Sequence, residues 1–125
     1  MLSVAQLFSL SALFALTAAQ THTGTLFTFS PGLGACGFTN TSGQSVASVS
    51  QTFFNAFPGA TENPNDNPIC THNLTVTFNG TTVTAQIVDL CLTCPEFNIG
   101  LSPSAFTQFA PISDGIVNNV TWMVD

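Results

Sequence analysis

The fold is decided by one continuous stretch, residues 73–94, which reads NLTVTFNGTTVTAQIVDLCLTC. Apolar residues alternate with polar ones from Asn73 to Phe78 and again from Thr82 to Val88, as in strands that bury one face. The Asn79-Gly80 pair between these two runs favours a type I′ turn, because both central residues of that turn need positive φ. The stretch therefore predicts an antiparallel hairpin whose second strand leads to Asp89.

Asp89 lies beside Cys91 and Cys94, two of the four cysteines of the chain. Its carboxylate can act as a catalytic acid or base, or it can anchor backbone amides beside a disulfide. A general acid that cleaves glycosidic bonds usually works with a second carboxylate. The residue alone therefore favours the anchoring role, and both interpretations stay open.

Further elements are predicted on both sides of the hairpin. Thr/Phe-rich or apolar runs indicate strands, and phenylalanines at helical spacing before Pro58-Gly59 indicate a short helix. Ser102-Pro103 is typical of a helix N-terminus, with serine as the cap and proline at the first helical position. We expect strands at 23–29, 45–49 and 116–124 and helices at 51–57 and 103–109, which together make one mainly β domain.

The aromatic residues admit two interpretations. Phe53, Phe54 and Phe57 fall at helical spacing, and Trp122, the only tryptophan, lies on the last predicted strand. Burial in the core is the default for such residues, and a platform on which sugars stack is the alternative. We expect all four residues in the core.

The first residues are predicted to leave the mature protein. Met1 to Ala19 has an apolar centre and ends in small residues, which is typical of a secretory signal peptide cleaved after Ala19. The rest of the chain, residues 20–125, suffices for one domain with a single core. Secretion favours two disulfides, formed by Cys36, Cys70, Cys91 and Cys94. Four sequons are candidates for glycosylation, at Asn40, Asn73, Asn79 and Asn119.

The charge balance excludes several classes of partner. The chain has no Lys or Arg and six acidic residues. Without a cationic surface it cannot release counterions from phosphates, so we expect neither nucleic acid nor an anionic membrane as a partner. The four cysteines and His72 could hold zinc, but secretion favours disulfides. We expect no metal and no cofactor, and we expect His22 and His72 to be bystanders.

Six segments, taken in order, resemble the double-psi β-barrel domain shared by expansins, RlpA-like proteins, barwin-like proteins and a class of endoglucanases. Together they extend over nearly all of residues 20–125, and the chain resembles a small, fungal, secreted, single-domain expansin-like protein. The resemblance implies a six-stranded double-psi β-barrel with two short helices and an open groove that accepts a polysaccharide. The segments are 32–37 (GLGACG), 46–49 (VASV), 67–70 (NPIC), 88–94 (VDLCLTC), 101–106 (LSPSAF) and 120–122 (VTW).

The resemblance also implies which residues lie in the groove. Asp89 matches an aspartate at the groove floor, whereas Gly100 stands where the family has its second aspartate, the one associated with acid catalysis and wall loosening. Phe27 stands where the family has a threonine, and Phe29 is a candidate replacement for a groove tyrosine. Glycine cannot transfer a proton through a side chain, so the resemblance implies a groove without its acid.

The implied function is that of a secreted monomer, extracellular or in the cell wall, that binds or loosens wall polysaccharide such as cellulose or chitin without hydrolysis. One alternative is a protein-binding module, a protease inhibitor or effector with the 63–68 loop as its contact. Another is a glycosidase or lytic transglycosylase that uses Asp89, with Glu96 as a substitute acid. The resemblance further implies that Cys91 and Cys94 bond to Cys70 and Cys36 rather than to each other.

Overall fold

The structure, a computed structural model, describes residues 20–125, so the predicted signal peptide lies outside the described residues. The described part contains six strands and two short α-helices. The strands are β1 (His22–Thr28), β2 (Val46–Ser50), β3 (Asn73–Phe78), β4 (Thr81–Cys91), β5 (Ile99–Leu101) and β6 (Ile116–Val124). The helices are α1 (Gln51–Ala56) and α2 (Pro103–Phe106), with 3-10 turns at Pro64–Asp66, Pro68–Thr71 and Ile112–Asp114.

The six strands close into a barrel in the order β1-β5-β2-β4-β3-β6, and β6 pairs with β1. The β1–β5 and β2–β4 pairs are parallel, and the other four pairs are antiparallel. This architecture confirms the predicted mainly β, six-stranded barrel with two helices. No helix within residues 20–125 has the length and apolarity needed to cross a membrane.

The predicted hairpin is present with its turn. Asn79 and Gly80 have φ values of 49° and 77°, and Phe78 pairs with Thr81 across the turn. The inward residues Leu74, Val76, Val83, Ala85 and Ile87 are buried. β4 continues beyond the predicted strand to Cys91, so Asp89 lies within the strand rather than at its end.

The core confirms part of the aromatic prediction. Trp122 and Phe54 are almost completely buried, whereas Phe53 and Phe57 are only half-buried. The second helix is shorter than predicted and ends at Phe106. Its N-cap, Ser102, uses its hydroxyl elsewhere: Oγ donates to the Gln44 carbonyl and accepts from the Val46 N–H at 3.1 Å. That hydroxyl thereby ties the start of α2 to the start of β2.

The predicted disulfide pairing is wrong. The bonds join Cys36 to Cys70 and Cys91 to Cys94, each with a Cα–Cα distance of 5.6 Å. A tight turn after β4 brings Cys94 back beside Cys91. The loop after β1 meanwhile brings Cys36 against the 3-10 turn that contains Cys70. Spacing along the chain could not distinguish these pairings.

The two disulfides should differ in their contribution to stability. Cys36–Cys70 joins residues 34 apart, whereas Cys91–Cys94 joins residues 3 apart. Because loop-closure entropy rises with loop length, we expect the double Cys→Ala variant of the first pair to lose about 4 kcal/mol of unfolding free energy, and that of the second about 1.5 kcal/mol. Urea unfolding measures both, and equal losses would contradict the expectation.

Candidate functional site

Three of the predicted groove residues meet in one row across the barrel wall. Phe27 pairs with Gly100, Gly100 with Ser48, and Ser48 with Asp89, across β1, β5, β2 and β4. Their neighbours along the strands, Leu26, Val49 and Ile99, are fully buried inside the barrel. Side chains alternate along a strand, so the row faces away from the barrel interior. Ser48 and Gly100 are nevertheless buried, and Phe27 and Asp89 are half-buried. We call Phe27, Gly100, Ser48 and Asp89 the outer row.

Phe29, the remaining groove candidate, lies beyond the end of β1 and outside this row. Its backbone N–H donates to the Leu101 carbonyl at 3.1 Å, which extends the pairing between β1 and β5. Its side chain is half-buried. The place of the Phe29 side chain in a groove therefore stays a prediction.

The Phe27 ring occupies the space beside Gly100, the position at which the resemblance implies an aspartate. A Cβ atom added at Gly100 would lie 2.5 Å from Cε2 and 2.8 Å from Cζ of Phe27. Real Cβ atoms do not come this close to another carbon, so any side chain at position 100 requires the ring to move. Phe27 and Gly100 are thus a packing pair, and each depends on the other.

Asp89 holds the loop that follows β1, residues 31–40. Its Oδ1 accepts hydrogen bonds from the backbone N–H groups of Ala35 at 3.0 Å and Leu90 at 2.8 Å. The Cys36 N–H donates to the Val88 carbonyl at 3.1 Å. Gly34 packs so closely against β4 that a Cβ there would overlap the Val88 carbonyl oxygen. This geometry is the one that the anchoring interpretation of Asp89 predicts.

Three large apolar side chains project into solvent near this anchor. Leu33 is 76% exposed, Leu92 is 71% exposed and Phe38 is 43% exposed. Leu33 and Phe38 belong to the loop that Asp89 and the Cys36–Cys70 bond hold, and Leu92 lies inside the short ring closed by Cys91–Cys94. We call these three residues the apolar rim. Rigid loops therefore present apolar side chains that the fold itself does not bury.

A separate cleft of about 440 Å³ opens at the end of the barrel where β1 begins. Residues from four distant segments line it, and none of them belongs to the outer row. They are Gln20, His22, Phe53, Ala56, Phe57, Pro58, Glu96, Phe97 and Val124. We call it the aromatic cleft. Sequence reasoning missed it, because only closure of the barrel brings these segments together. The one signal in the sequence was the alternative that Phe53 and Phe57 belong to an aromatic platform.

His22, expected to be a bystander, is the centre of the aromatic packing in this cleft. Its ring stacks on Phe97 at 4.7 Å with an interplanar angle of 11° and meets Phe53 edge-on at 5.4 Å. Trp122 packs behind, 4.7 Å from His22 and 5.0 Å from Phe53. Such ring pairs add to the free energy of burial. The only tryptophan therefore contacts two of the residues that line the cleft.

Hydrogen bonds hold the walls of the cleft. The Ser50 hydroxyl donates to the Glu96 carbonyl at 2.7 Å, and its oxygen accepts from the Phe53 N–H at 3.0 Å as the cap of α1. Trp122 Nε1 donates to the Phe97 carbonyl at 2.9 Å. The same carbonyl leaves no room for a Cβ at Gly24. The cleft is thus built before any ligand arrives.

The carboxylate of Asp125 lies next to the cleft, at the end of β6. Asp125 follows the lining residue Val124, and the Asn73 N–H donates to its Oδ1 at 2.9 Å. That hydrogen bond, assisted by the neighbouring His72 ring against a small opposing effect of burial, lowers the pKa of Asp125. His72 Nδ1 lies 3.2 Å from Oδ1, and its ring packs on Phe57 at 5.1 Å. Asp125 therefore keeps its negative charge near the cleft in mildly acidic media.

The other sequence candidates fall on structural positions. All four cysteines are in disulfides, and within residues 20–125 no group of three or more His, Cys, Asp or Glu is placed to hold a metal. Asp114 ends a 3-10 turn before Gly115, whose φ is 72°. In the 63–68 loop Asn67 is buried, and its Nδ2 donates to the Phe54 carbonyl at 2.8 Å. That loop therefore supports α1.

The sequon asparagines differ in accessibility. Asn79 and Asn119 are exposed, and both have positive φ, 49° and 60°. Asn73 is half-buried at the start of β3. Asn40 is also half-buried, and its Nδ2 donates to Gln44 Oε1 at 3.2 Å. A glycan on Asn40 would disturb this bond, so Asn79 and Asn119 are the better acceptors, and glycosylation itself stays a prediction.

Comparisons with known proteins identify relatives of the chain. No family model matches the chain. The papain inhibitor of Streptomyces mobaraensis is 34% identical over 93 residues, which are 73% of this chain and 62% of that protein. An allergen of Aspergillus fumigatus is 34% identical over 53 residues, 42% of this chain and 20% of the allergen. The chain thus spans less than two thirds of the length of these curated relatives.

Solved structures give the same picture. A Streptomyces papain inhibitor superposes with a TM-score of 0.76 at 31% identity, covering 84% of this chain and 94% of that one. An expansin of Clavibacter michiganensis, solved alone and as a variant with cellohexaose, superposes with a TM-score of 0.67 at 21% identity, covering 85% of this chain and 50% of that one. This chain belongs to the double-psi β-barrel family that includes the Streptomyces papain inhibitor.

The packing pair in the outer row gives a testable expectation. Gly100→Asp forces the Phe27 ring to move, so we expect it to lower the unfolding free energy by about 1–3 kcal/mol. Phe27→Thr removes the ring, and in that background the same Gly100→Asp change should cost at least about 1 kcal/mol less. Urea unfolding of the two single variants and the double variant measures the coupling. Additive losses would contradict the pairing.

Proposed function

We propose that this chain is a secreted, non-catalytic, protein-binding module that inhibits a papain-like cysteine protease. One observation carries the proposal: two largely exposed leucines, Leu33 and Leu92, lie on loops that the two disulfides hold. The likeness to a papain inhibitor over most of both chains supplies the class of partner. Residues 20–125 form the working domain after removal of the signal peptide at 1–19, and the disulfides favour an extracellular site of action.

The apolar rim fits the way rigid inhibitors bind. An inhibitor whose loops are already ordered loses little conformational entropy on binding. Leu33 is next to Gly34, which packs against β4, and the Ala35 N–H is held by Asp89. Leu92 lies between the bonded Cys91 and Cys94. Exposed apolar side chains on such fixed backbones are suited to fill the apolar subsites of a protease cleft.

The outer row does not favour catalysis. Its one carboxylate is Asp89, whose Oδ1 already accepts two backbone hydrogen bonds. Glu96, the substitute acid considered from the sequence, has an exposed side chain that lines the aromatic cleft rather than the outer row. Glycoside hydrolysis usually needs two carboxylates flanking one bond. These features support a protein that binds without cleaving.

Inhibition of papain tests the proposal. We expect residues 20–125, with both disulfides formed, to slow the hydrolysis of a fluorogenic peptide by papain. Leu92→Ser removes an apolar contact from the rim and should raise the inhibition constant about tenfold or more. Leu33→Ser tests whether the loop that Asp89 holds also contacts the protease, and it should weaken inhibition in the same direction.

Ile112→Ser is the matched control for Leu92→Ser. Ile112 is 43% exposed and lies in the turn before β6 begins, whereas Leu92 follows the end of β4. β4 and β6 run in the same direction, since both are antiparallel to β3, so the two residues lie at opposite ends of the barrel. The control should inhibit like the unchanged protein. An absence of papain inhibition by the folded protein would overturn the assignment of the protease class.

Polysaccharide binding is the second candidate, and a particular observation favours it. The half-buried Phe27 ring and Asp89 lie in the same outer row, three strand spacings or about 14 Å apart, so a glycan chain that stacks on the ring could extend to a hydrogen-bond acceptor. The fold shared with an expansin agrees with this but supplies no contact. The expansin-like role in loosening cell walls belongs to this second candidate.

Adsorption to insoluble cellulose and chitin near pH 5 separates the two candidates. If the outer row binds glycan, the protein should leave the supernatant without releasing sugar, and Phe27→Ala should reduce the adsorbed fraction several-fold. Leu92→Ser should leave adsorption unchanged, because Leu92 is not in that row. Adsorption that Phe27→Ala does not alter would exclude the outer row as the site.

A further inference from the structure

The aromatic cleft combines ring faces with a negative charge and contains no Lys or Arg. Phe53, Phe57 and Phe97 line it, and the exposed Glu96 lines it next to Phe97. Aromatic rings attract cations through their negative faces, and a nearby carboxylate strengthens that attraction. Within residues 20–125 the one ion pair is that of His72 and Asp125, so Glu96 has no cationic partner there.

We propose that the aromatic cleft binds a lysine or arginine side chain of a protein partner. The aliphatic stem of such a side chain would pack on the phenylalanine rings, and its charged end would meet the Glu96 carboxylate. A volume of about 440 Å³ is enough for one such side chain together with part of its backbone.

The lining favours a cation over a sugar. A sugar ring carries hydroxyl groups on its whole edge and needs several hydrogen-bonding side chains around it. The polar side chains that line this cleft are those of Gln20, His22 and Glu96, and the His22 ring is already stacked on Phe97. The remaining lining is apolar. A long, flexible side chain with one charged end matches that distribution better than a sugar does.

The charge of the whole chain supports the same occupant. The formal net charge is −6, with no Lys or Arg to repel an incoming cation. A field of one sign raises the association rate of an oppositely charged partner. Asp125, whose pKa is lowered by the Asn73 N–H, adds negative charge near Val124 at the cleft. The cleft therefore lies in a field that draws basic residues toward it.

This inference rests on the proposed function, because it places the cation on the same protein that contacts the apolar rim. The short segment from Leu92 to Glu96 connects the two surfaces and spans at most about 14 Å when fully extended. A standard interface buries about 800 Å² per partner, which extends over both. One bound protein can thus cover Leu92 and place a basic side chain in the cleft.

Trp122 provides a direct reading of the cleft. The chain has one tryptophan and no tyrosine, so its fluorescence comes from a ring that contacts His22 and Phe53. We would titrate the protein at about pH 8 with the amides of Nα-acetyl-lysine and Nα-acetyl-arginine. The neutral amides of Nα-acetyl-norleucine and Nα-acetyl-citrulline are the matched probes. We expect a saturable change with the cationic probes alone.

Three variants complete the experiment. Glu96→Gln should weaken binding of the cationic probes roughly 3- to 10-fold, and Phe97→Ala should weaken it at least as much. Glu62→Gln is the control, because it changes the other glutamate, an exposed residue that does not line the cleft, by the same single charge. It should bind the probes like the unchanged protein.

Several outcomes would overturn the inference. An equal response to norleucine amide would make the cleft a purely apolar pocket, and a response to cellohexaose in place of the cations would make it a sugar site. Equal effects of Glu62→Gln and Glu96→Gln would mean that the net charge of the protein, and not the cleft, attracts the cationic probes. Papain inhibition is measured separately, so loss of inhibition with intact probe binding rejects the protease assignment alone, and the reverse result rejects the cleft alone.

Discussion

The Asp89 side chain fixes the loop that follows β1, residues 31–40, against the barrel. Its Oδ1 receives the N–H groups of Ala35 and Leu90, and the Cys36 N–H binds the Val88 carbonyl beside it. The Cys36–Cys70 bond holds the same loop from its other side. Leu33 therefore projects from a backbone with little freedom, although its side chain is almost fully in solvent. A carboxylate for which the sequence left both a catalytic and an anchoring role open thus anchors the loop that presents Leu33.

The chain builds this rigidity almost without ion pairs. Because the sequence has no Lys or Arg, the described residues form a single ion pair, between His72 and Asp125. Serine hydroxyl groups, rather than ion pairs, connect neighbouring elements. Ser50 connects α1 to the segment before β5, and Ser102 connects α2 to β2. Because a serine hydroxyl group carries no charge, hydrogen bonds of this kind stabilise the fold independently of pH. Five of the six acidic side chains are exposed; Asp89 is half-buried, and it and Asp125 accept hydrogen bonds from backbone N–H groups of the fold.

Local patterns predicted local structure well and long-range contacts poorly. The 73–88 hairpin, the turn at Asn79-Gly80 and the last strand follow from alternation and turn chemistry, which depend on neighbouring residues. β5 has three residues, too few for any alternation to show, and it was missed as a strand in the sequence pattern. The disulfide pairing depends on where distant loops meet, so neither spacing nor resemblance settled it. The aromatic cleft was hidden for the same reason, since its lining comes from segments as far apart as residues 20 and 124.

Gly100 shows why one position should not be interpreted by itself. The resemblance implies an aspartate at this position, and its absence argues only against proton transfer by residue 100. In the structure the ring of Phe27 fills the space that any Cβ at position 100 would need. A side chain at position 100 and the Phe27 ring in its present place exclude each other, so the two departures from the implied groove pattern are linked. The apolar rim and the aromatic cleft lie outside the outer row, and the short segment between Cys91 and Phe97 connects Leu92 of the rim to the cleft.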